Sequence, residues 1–182
     1  VTITGRLPDT AEPAHTAFAH TAENPFDKAM HLASALAGLD ADRGARIHHP
    51  RLAAAIGRST NLMVSRCDYG DAAPLSRLSP TLTLGGAMTL VPGERLEDAM
   101  AEVEAAVDAA ARADPWLAAN PPGIRWLSGV SAAETGEDHP LYRTAAAALR
   151  RVGACPAVNP LHTSSDSRNP IVQKAIPTVG FG

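Results

Sequence analysis

The order in which two hydrophobic periods alternate along this chain constrains its fold more than any other feature. "VTITGR" (Val1 to Arg6) alternates apolar and polar residues and is rich in β-branched side chains, which predicts a strand. A polar stretch with two prolines, Pro8 to Thr21, reads as loop. "NPFDKAMHLASALAGL" (Asn24 to Leu39) then switches to a helical period. Asn24 suits the N-cap and Pro25 the first helical position, where its missing N–H costs nothing. Phe26, Met30, Ala33 and Ala37 recur on one predicted face, and Gly38 is a natural stop. Residues 40–58 read as loop around a short helix near Leu52 to Ile56.

"TNLMVSRC" (Thr60 to Cys67) and "PTLTLGGAMTL" (Pro80 to Leu90) return to a strand pattern. The Gly- and Pro-bearing link between them makes them expected antiparallel neighbours. "PGERLEDAMAEVEAAVDAAARAD" (Pro92 to Asp114) is a second helix, with Leu96, Met100, Val103 and Val107 on one face. Its acidic residues Glu97, Asp98, Glu102, Glu104 and Asp108 fall mostly off that face and read as solvated surface. "GIRWLSGVSA" (Gly123 to Ala132) reads as a further strand.

The predicted order is therefore β-α-β-β-α-β, the split arrangement of a ferredoxin-like sandwich. After the polar break "ETGEDHP", a third helix is expected over Pro140 to Gly153. Short strands "ACPAVNP" and "IPTVGFG" are expected around a Ser/Asp turn. That last part is too small to bury a core alone. The fold class is thus α/β (α+β): a ferredoxin-like domain over 1–134, then a partial α/β segment over 135–182 that belongs to a larger layer.

Composition narrows the function classes. Apolar residues make up 45 % of the 182, but aromatics only 4 %. Ala is a strong helix former and a poor core filler, so the core should rest on Leu, Ile, Val and Met. The net charge of -3 is dispersed, with no basic stripe, which argues against nucleic acid as a partner. No apolar run is long enough for a membrane span, and no signal peptide is evident. The two cysteines, Cys67 and Cys155, sit in no metal-like spacing and read as reduced, part-buried thiols in a cytoplasmic protein, with a disulfide unsupported.

Three stretches, in order, carry a resemblance: "HTAFAHTAENPF", with His15 nine residues before Asn24; the step "PGERLE"; and the closing "SSDSRNPIVQKAIPTVGFG". Together they resemble the zinc-dependent aminoacylase and exopeptidase family, which includes acetylornithine deacetylase, succinyl-diaminopimelate desuccinylase and glutamate carboxypeptidase. Its members look like "GHSxxxxGxxNPI", "PGE" and "TSDxRxxxxxGIPxVxxG" at the corresponding places. The resemblance implies a catalytic α/β domain carrying two zinc ions (Zn) and an inserted ferredoxin-like lid used for homodimerisation. It implies hydrolysis of the amide bond of an N-acyl amino acid or small peptide by a zinc-activated water. The family's metal ligands and general-base Glu precede and follow the stretch matched here, so no metal ligand is carried over. On this reading the chain alone is inactive, an insert and remnant of a larger hydrolase.

The resemblance also implies roles for individual residues. His15 matches a lid histidine that reaches the partner's active site and donates to the developing oxyanion, a contribution of about 3 kcal/mol to the barrier. Ser164, Ser165, Asp166 and Arg168 match the "T-S-D-x-R" turn, where Arg168 would hold a substrate carboxylate as a planar fork. From the residues alone, His15 is a structural or inert loop histidine and Ser-Ser-Asp an ordinary helix N-cap. His162 and Ser165 make no nucleophile–base pair, because no third orienting group is evident. "RIHHPR", with His48 and His49, reads as a solvated loop. Two family polar contacts are replaced, one by Pro74 or Leu75 and one by Thr89. A non-catalytic dimerisation or interaction module, or a divergent member without activity, is the alternative reading.

Overall fold

A computed structural model describes residues 1–70, 74–155 and 165–180. It is a mixed α/β fold with a small antiparallel sheet and several helices. The elements are β1 (Thr2–Thr4), a 3-10 turn (Thr16–Thr21), α1 (Pro25–Arg46), α2 (Pro50–Ile56), β2 (Leu62–Tyr69) and β3 (Thr81–Met88). They continue with α3 (Leu96–Ala113), α4 (Pro115–Ala119), α5 (Pro140–Arg151) and α6 (Arg168–Lys174). The three strands lie in the order β1-β3-β2, both pairs antiparallel.

Helix α1 starts as expected: Asn24 Oδ1 accepts from the Phe26 N–H at 3.1 Å, with Pro25 in the first turn. Its buried stripe is Ala29, Leu32 and Leu36, one step around from the predicted Phe26–Met30–Ala37 face. Phe26 and Met30 remain 44 % and 61 % exposed, so they do not meet the sheet. Nor does Gly38 end the helix, which runs on to Arg46. Isolated Gly costs a helix only about 1 kcal/mol against Ala, and the following turns are held by the buried Arg43. In α3 the predicted Val103 and Val107 are buried, joined by Ala99, Ala110 and Ala111. These small residues let α1 and α3 pack against each other, and His31 Nε2 donates across to the Ala110 carbonyl at 2.8 Å. That carbonyl is among the last four of α3, which have no acceptor role inside the helix.

On the sheet, Ile3, Leu82 and Leu84 point into the same core as the two helices. Leu62 and Tyr69 both pack against it, although seven residues apart on one strand should face opposite sides. A bulge between Val64 and Arg66 inserts the extra residue that flips the parity. Gly86 lies opposite, where a Cβ would collide with the Met63 carbonyl oxygen.

The strand expected over Gly123–Ala132 is reduced to one bridge, in which Thr2 and Gly123 exchange hydrogen bonds of 2.7 and 2.9 Å. The physical reason lies in the register. In this antiparallel register Ile124 falls opposite Val1 and residues 125–132 run past β1, with no strand beside them among the described residues; on the other side the next bonded pair would set Thr4 against Pro121, which has no N–H to give. The Thr4 carbonyl accepts instead from Trp116 Nε1 at 2.8 Å.

Beyond residue 134, α5 forms where the helical period placed it, capped by His139 Nδ1 accepting from the Leu141 N–H. Neither α5 nor α6 packs on another element with more than marginal contact among the described residues. The stretch 176–180 is not a strand, and the expected strand over "ACPAVNP" falls mostly outside the described residues. Both cysteines are exposed free thiols rather than part-buried ones. No helix among the described residues is long and apolar enough to cross a membrane.

Candidate functional site

His15 stands at the N-terminal edge of the 3-10 turn and is buried, at 5 % exposure, rather than on an open loop. Its backbone N–H donates to the Ser76 carbonyl at 2.8 Å, and its Nδ1 accepts from the Leu78 N–H at 3.1 Å. An acceptor Nδ1 belongs to the neutral tautomer that carries its proton on Nε2. Among the described residues Nε2 has no hydrogen-bond partner, so it keeps a donor to offer. The contact also staples the stretch before α1 to the link between β2 and β3.

The second set of expected residues forms a turn leading into α6. Ser164 lies outside the described residues. Ser165 Oγ accepts from the Ser167 N–H at 3.2 Å and lies 2.8 Å from Ser167 Oγ. Arg168 Nη1 donates to the Ser165 carbonyl at 2.7 Å, which braces the guanidinium against its own turn. Asp166 is exposed; its backbone oxygen accepts from the Asn169 N–H and its Oδ1 from Asn169 Nδ2. The expected side-chain cap by Ser or Asp does not form, because Ser167 occupies the N-cap and makes no capping bond. Arg168, Asn169, Val172 and Gln173 line one wall of a crevice of about 180 Å³, with Val130 and Ser131 opposite. A charged fork beside apolar side chains and small polar groups is suited to a small carboxylate-bearing ligand. No hydrogen bond or ion pair joins His15 to this turn among the described residues.

The sequence reading missed the most deeply buried charge. Arg43 is 1 % exposed and donates from Nη2 to Glu94 at 2.6 Å and from Nη1 to Glu102 at 2.7 Å. Arg46 adds a 2.9 Å contact to Glu102, and Arg43 Nη2 lies 3.5 Å from Thr60 Oγ1. Burial opposes the Glu102 charge, but the hydrogen bonds from Arg46 and Arg43 outweigh it and hold the carboxyl below its ordinary value. Glu94 belongs to the "PGE" step. There Pro92 and Gly93 form the middle of a turn closed by the Glu94 N–H to the Val91 carbonyl at 3.1 Å. Gly93 takes φ +89, the left-handed value such a turn requires at its third position. The step thus delivers Glu94 to Arg43, a structural duty. Thr89 is likewise structural, its Oγ1 accepting from the Asn61 N–H at 2.8 Å. The only signal that could have flagged Arg43 is a charge on the apolar stripe of α1.

Two further clusters tie the parts together. Lys28 lies between Asp114 at 2.9 Å and Glu23 at 3.3 Å. Asp114 also caps α4 through the Trp116 and Leu117 N–H groups. Burial works against the Asp114 charge, yet Lys28 and the capping N–H groups hold its carboxyl below the ordinary value. His49, far from being merely solvated, caps α2 through Nδ1 and meets Glu134 at 3.2 Å; Arg51 reaches Glu134 and Glu137. Among the described residues no group of three or more His, Cys, Asp or Glu side chains could hold a metal ion. The sequence matches no protein-family model and none of the curated proteins.

Proposed function

We propose that this chain supplies the dimerising lid and one substrate-binding wall of a metal-dependent amidohydrolase acting on N-acyl amino acids or small peptides. The observation that carries the reading is Arg168. It lines a crevice beside the Ser165–Asp166 turn, at the position the aminoacylase resemblance assigns to a carboxylate-binding arginine. Apart from its bond to Ser165, its guanidinium makes no hydrogen bond among the described residues, which leaves N–H groups for a ligand.

The topology supports a ferredoxin-like lid. The Thr2–Gly123 bridge sets the stretch after α4 beside β1, so the spatial order is that stretch, β1, β3, β2. Two helices then follow the first and third strands, as the split β-α-β arrangement requires. The Nε2-protonated His15 supports a donor role toward an oxyanion. The described residues gather no zinc-binding set. In this reading the zinc ligands belong to other sequence.

The second reading, a dimerisation or interaction module without catalysis, is favoured by the burial of His15 in its own contacts with Ser76 and Leu78. One pair of measurements separates the two. Titration of the chain with N-acetyl amino acids, followed by NMR, should perturb Ser165 and Arg168, and Arg168→Ala should abolish the effect. Absence of binding sinks the substrate-wall reading and leaves the module. The same compounds incubated with the chain and zinc should not be hydrolysed; robust metal-dependent turnover would refute the view that the catalytic groups stand elsewhere.

A further inference from the structure

Between Asp9 and Asn24 the only buried residue is His15, whose ring can take up a proton. What that ring holds is part of the link between β2 and β3, residues 74–78, none of which lies in a helix or strand. The Leu78 N–H donates to His15 Nδ1 at 3.1 Å, and the His15 N–H donates to the Ser76 carbonyl at 2.8 Å. The other hydrogen bond of the stretch is internal, from the Arg77 N–H to the Pro74 carbonyl at 2.9 Å. Among the described residues, therefore, His15 alone ties 74–78 to another segment by hydrogen bonds. We propose that His15 is a proton-operated latch: neutral, it holds this link against the loop before α1, and a proton taken up at Nδ1 releases it. The inference goes beyond the lid reading and does not depend on it.

The chemistry is a reversal of hydrogen-bond sense. A neutral imidazole protonated on Nε2 offers an acceptor at Nδ1, whereas an imidazolium offers donors at both nitrogens. A solvent proton placed on Nδ1 sets one N–H against another, and the Leu78 N–H loses its acceptor. No carboxylate offsets the new charge. Asp9, Glu12 and His20 on the loop, Arg77 on the link and Asp27 at the start of α1 are all exposed. Glu23 pairs with Arg6 and Lys28, and Asp68 pairs with Arg66. His15 itself makes no ion pair among the described residues. A buried charge without a partner is costly, so the imidazolium gains by reaching water. The ring can do so only by giving up Leu78. Imidazole is the side chain that ordinarily changes charge between about pH 5 and pH 8, which sets the window in which the latch opens.

Nitrogen-detected NMR of the histidine rings, with amide spectra of the same chain, tests the latch. At about pH 8 His15 should carry its proton on Nε2 and none on Nδ1. As the pH is lowered to about 5, Nδ1 should take up a proton. The Leu78 amide should shift and lose exchange protection with the same midpoint, while the Leu32 amide in α1 keeps its own. His15→Asn puts a carbonyl acceptor that does not titrate near the place of Nδ1, and should keep Leu78 protected at both ends of the range. His15→Phe keeps a ring but no acceptor, and should leave Leu78 unprotected at both. Four results would each overturn the latch: a proton on Nδ1 already at the upper pH, a ring that does not titrate in the window, a Leu78 amide that ignores the ring, or a Leu78 transition that persists in His15→Asn. Should either variant fail to fold, the titration of the unaltered chain decides by itself.

Discussion

All eleven residues of the hydrophobic core cluster lie between Ile3 and Leu117. From 125 to 180, the described residues bury one hydrophobic side chain, Ala146. Both regions nonetheless form helices where their periods predict them. Asn24 caps α1 and His139 caps α5 in the same manner, by accepting an N–H from two residues on. Local rules therefore suffice to make a helix, but not to give it a partner. In the first region α1 and α3 close on the sheet and on each other. In the second, Leu127, Val130, Val152 and Val172 stay largely exposed. The anchors there are polar: the reciprocal Thr135–Thr178 bonds and the His49–Arg51 contacts with Glu134 and Glu137.

The comparison is broken most severely at Arg43. Arg43→Ala would leave Glu94 without its cation and Glu102 with Arg46 alone, a loss of about 3–5 kcal/mol, to be read by urea unfolding. Leu32→Ala should cost about 2–5 kcal/mol, because a side chain with no exposure leaves a cavity. Val172→Ala, half exposed, should fall within about 0.5 kcal/mol. Equal losses at Leu32 and Val172 would contradict the division into two regions.

Gly86→Ala comes next, at about 1–3 kcal/mol, since the added methyl must displace the Met63 carbonyl at the bulge. Acid titration sharpens the same contrast. Glu102 and Asp114 are held below their ordinary values, so their stabilisation is present above the unfolded-state value and lost as pH falls through the lowered one. Melting temperature should therefore decline as pH drops beneath the ordinary carboxylate range, and Glu102→Gln should flatten that decline. A small effect is expected from Arg51→Ala, under about 1 kcal/mol, because its two ion pairs are part-exposed. Hydrogen exchange should separate the regions directly, with slow amides in β3 and α1 and fast ones in α5 and α6.

Much of the candidate site was legible as residue types and little of it as arrangement. Ser165 and Arg168 are three positions apart, so their mutual contact follows from the turn. His15 was placed in a loop correctly, but its burial depends on Leu78, 63 positions away. The predicted face of α1 failed for a related reason. Ala-rich helices offer several plausible stripes, and the sheet selected the one bearing Leu32 and Leu36. The predicted last strand failed because the Thr2–Gly123 register carries residues 125–132 past β1, an outcome visible only once those two residues are paired.

By itself the sequence determined the order strand, helix, strand, strand, helix through α3, and the helix starts at Asn24 and Pro140. Each depends on atoms within a few residues, where backbone sterics and local hydrogen bonds decide. Only the tertiary structure decided which helix face is buried, that β2 carries a parity-changing bulge, and that Arg43 joins Glu94 and Glu102 from 51 and 59 residues away. Those outcomes minimise buried charge and empty volume across the whole molecule. No local pattern encodes that sum.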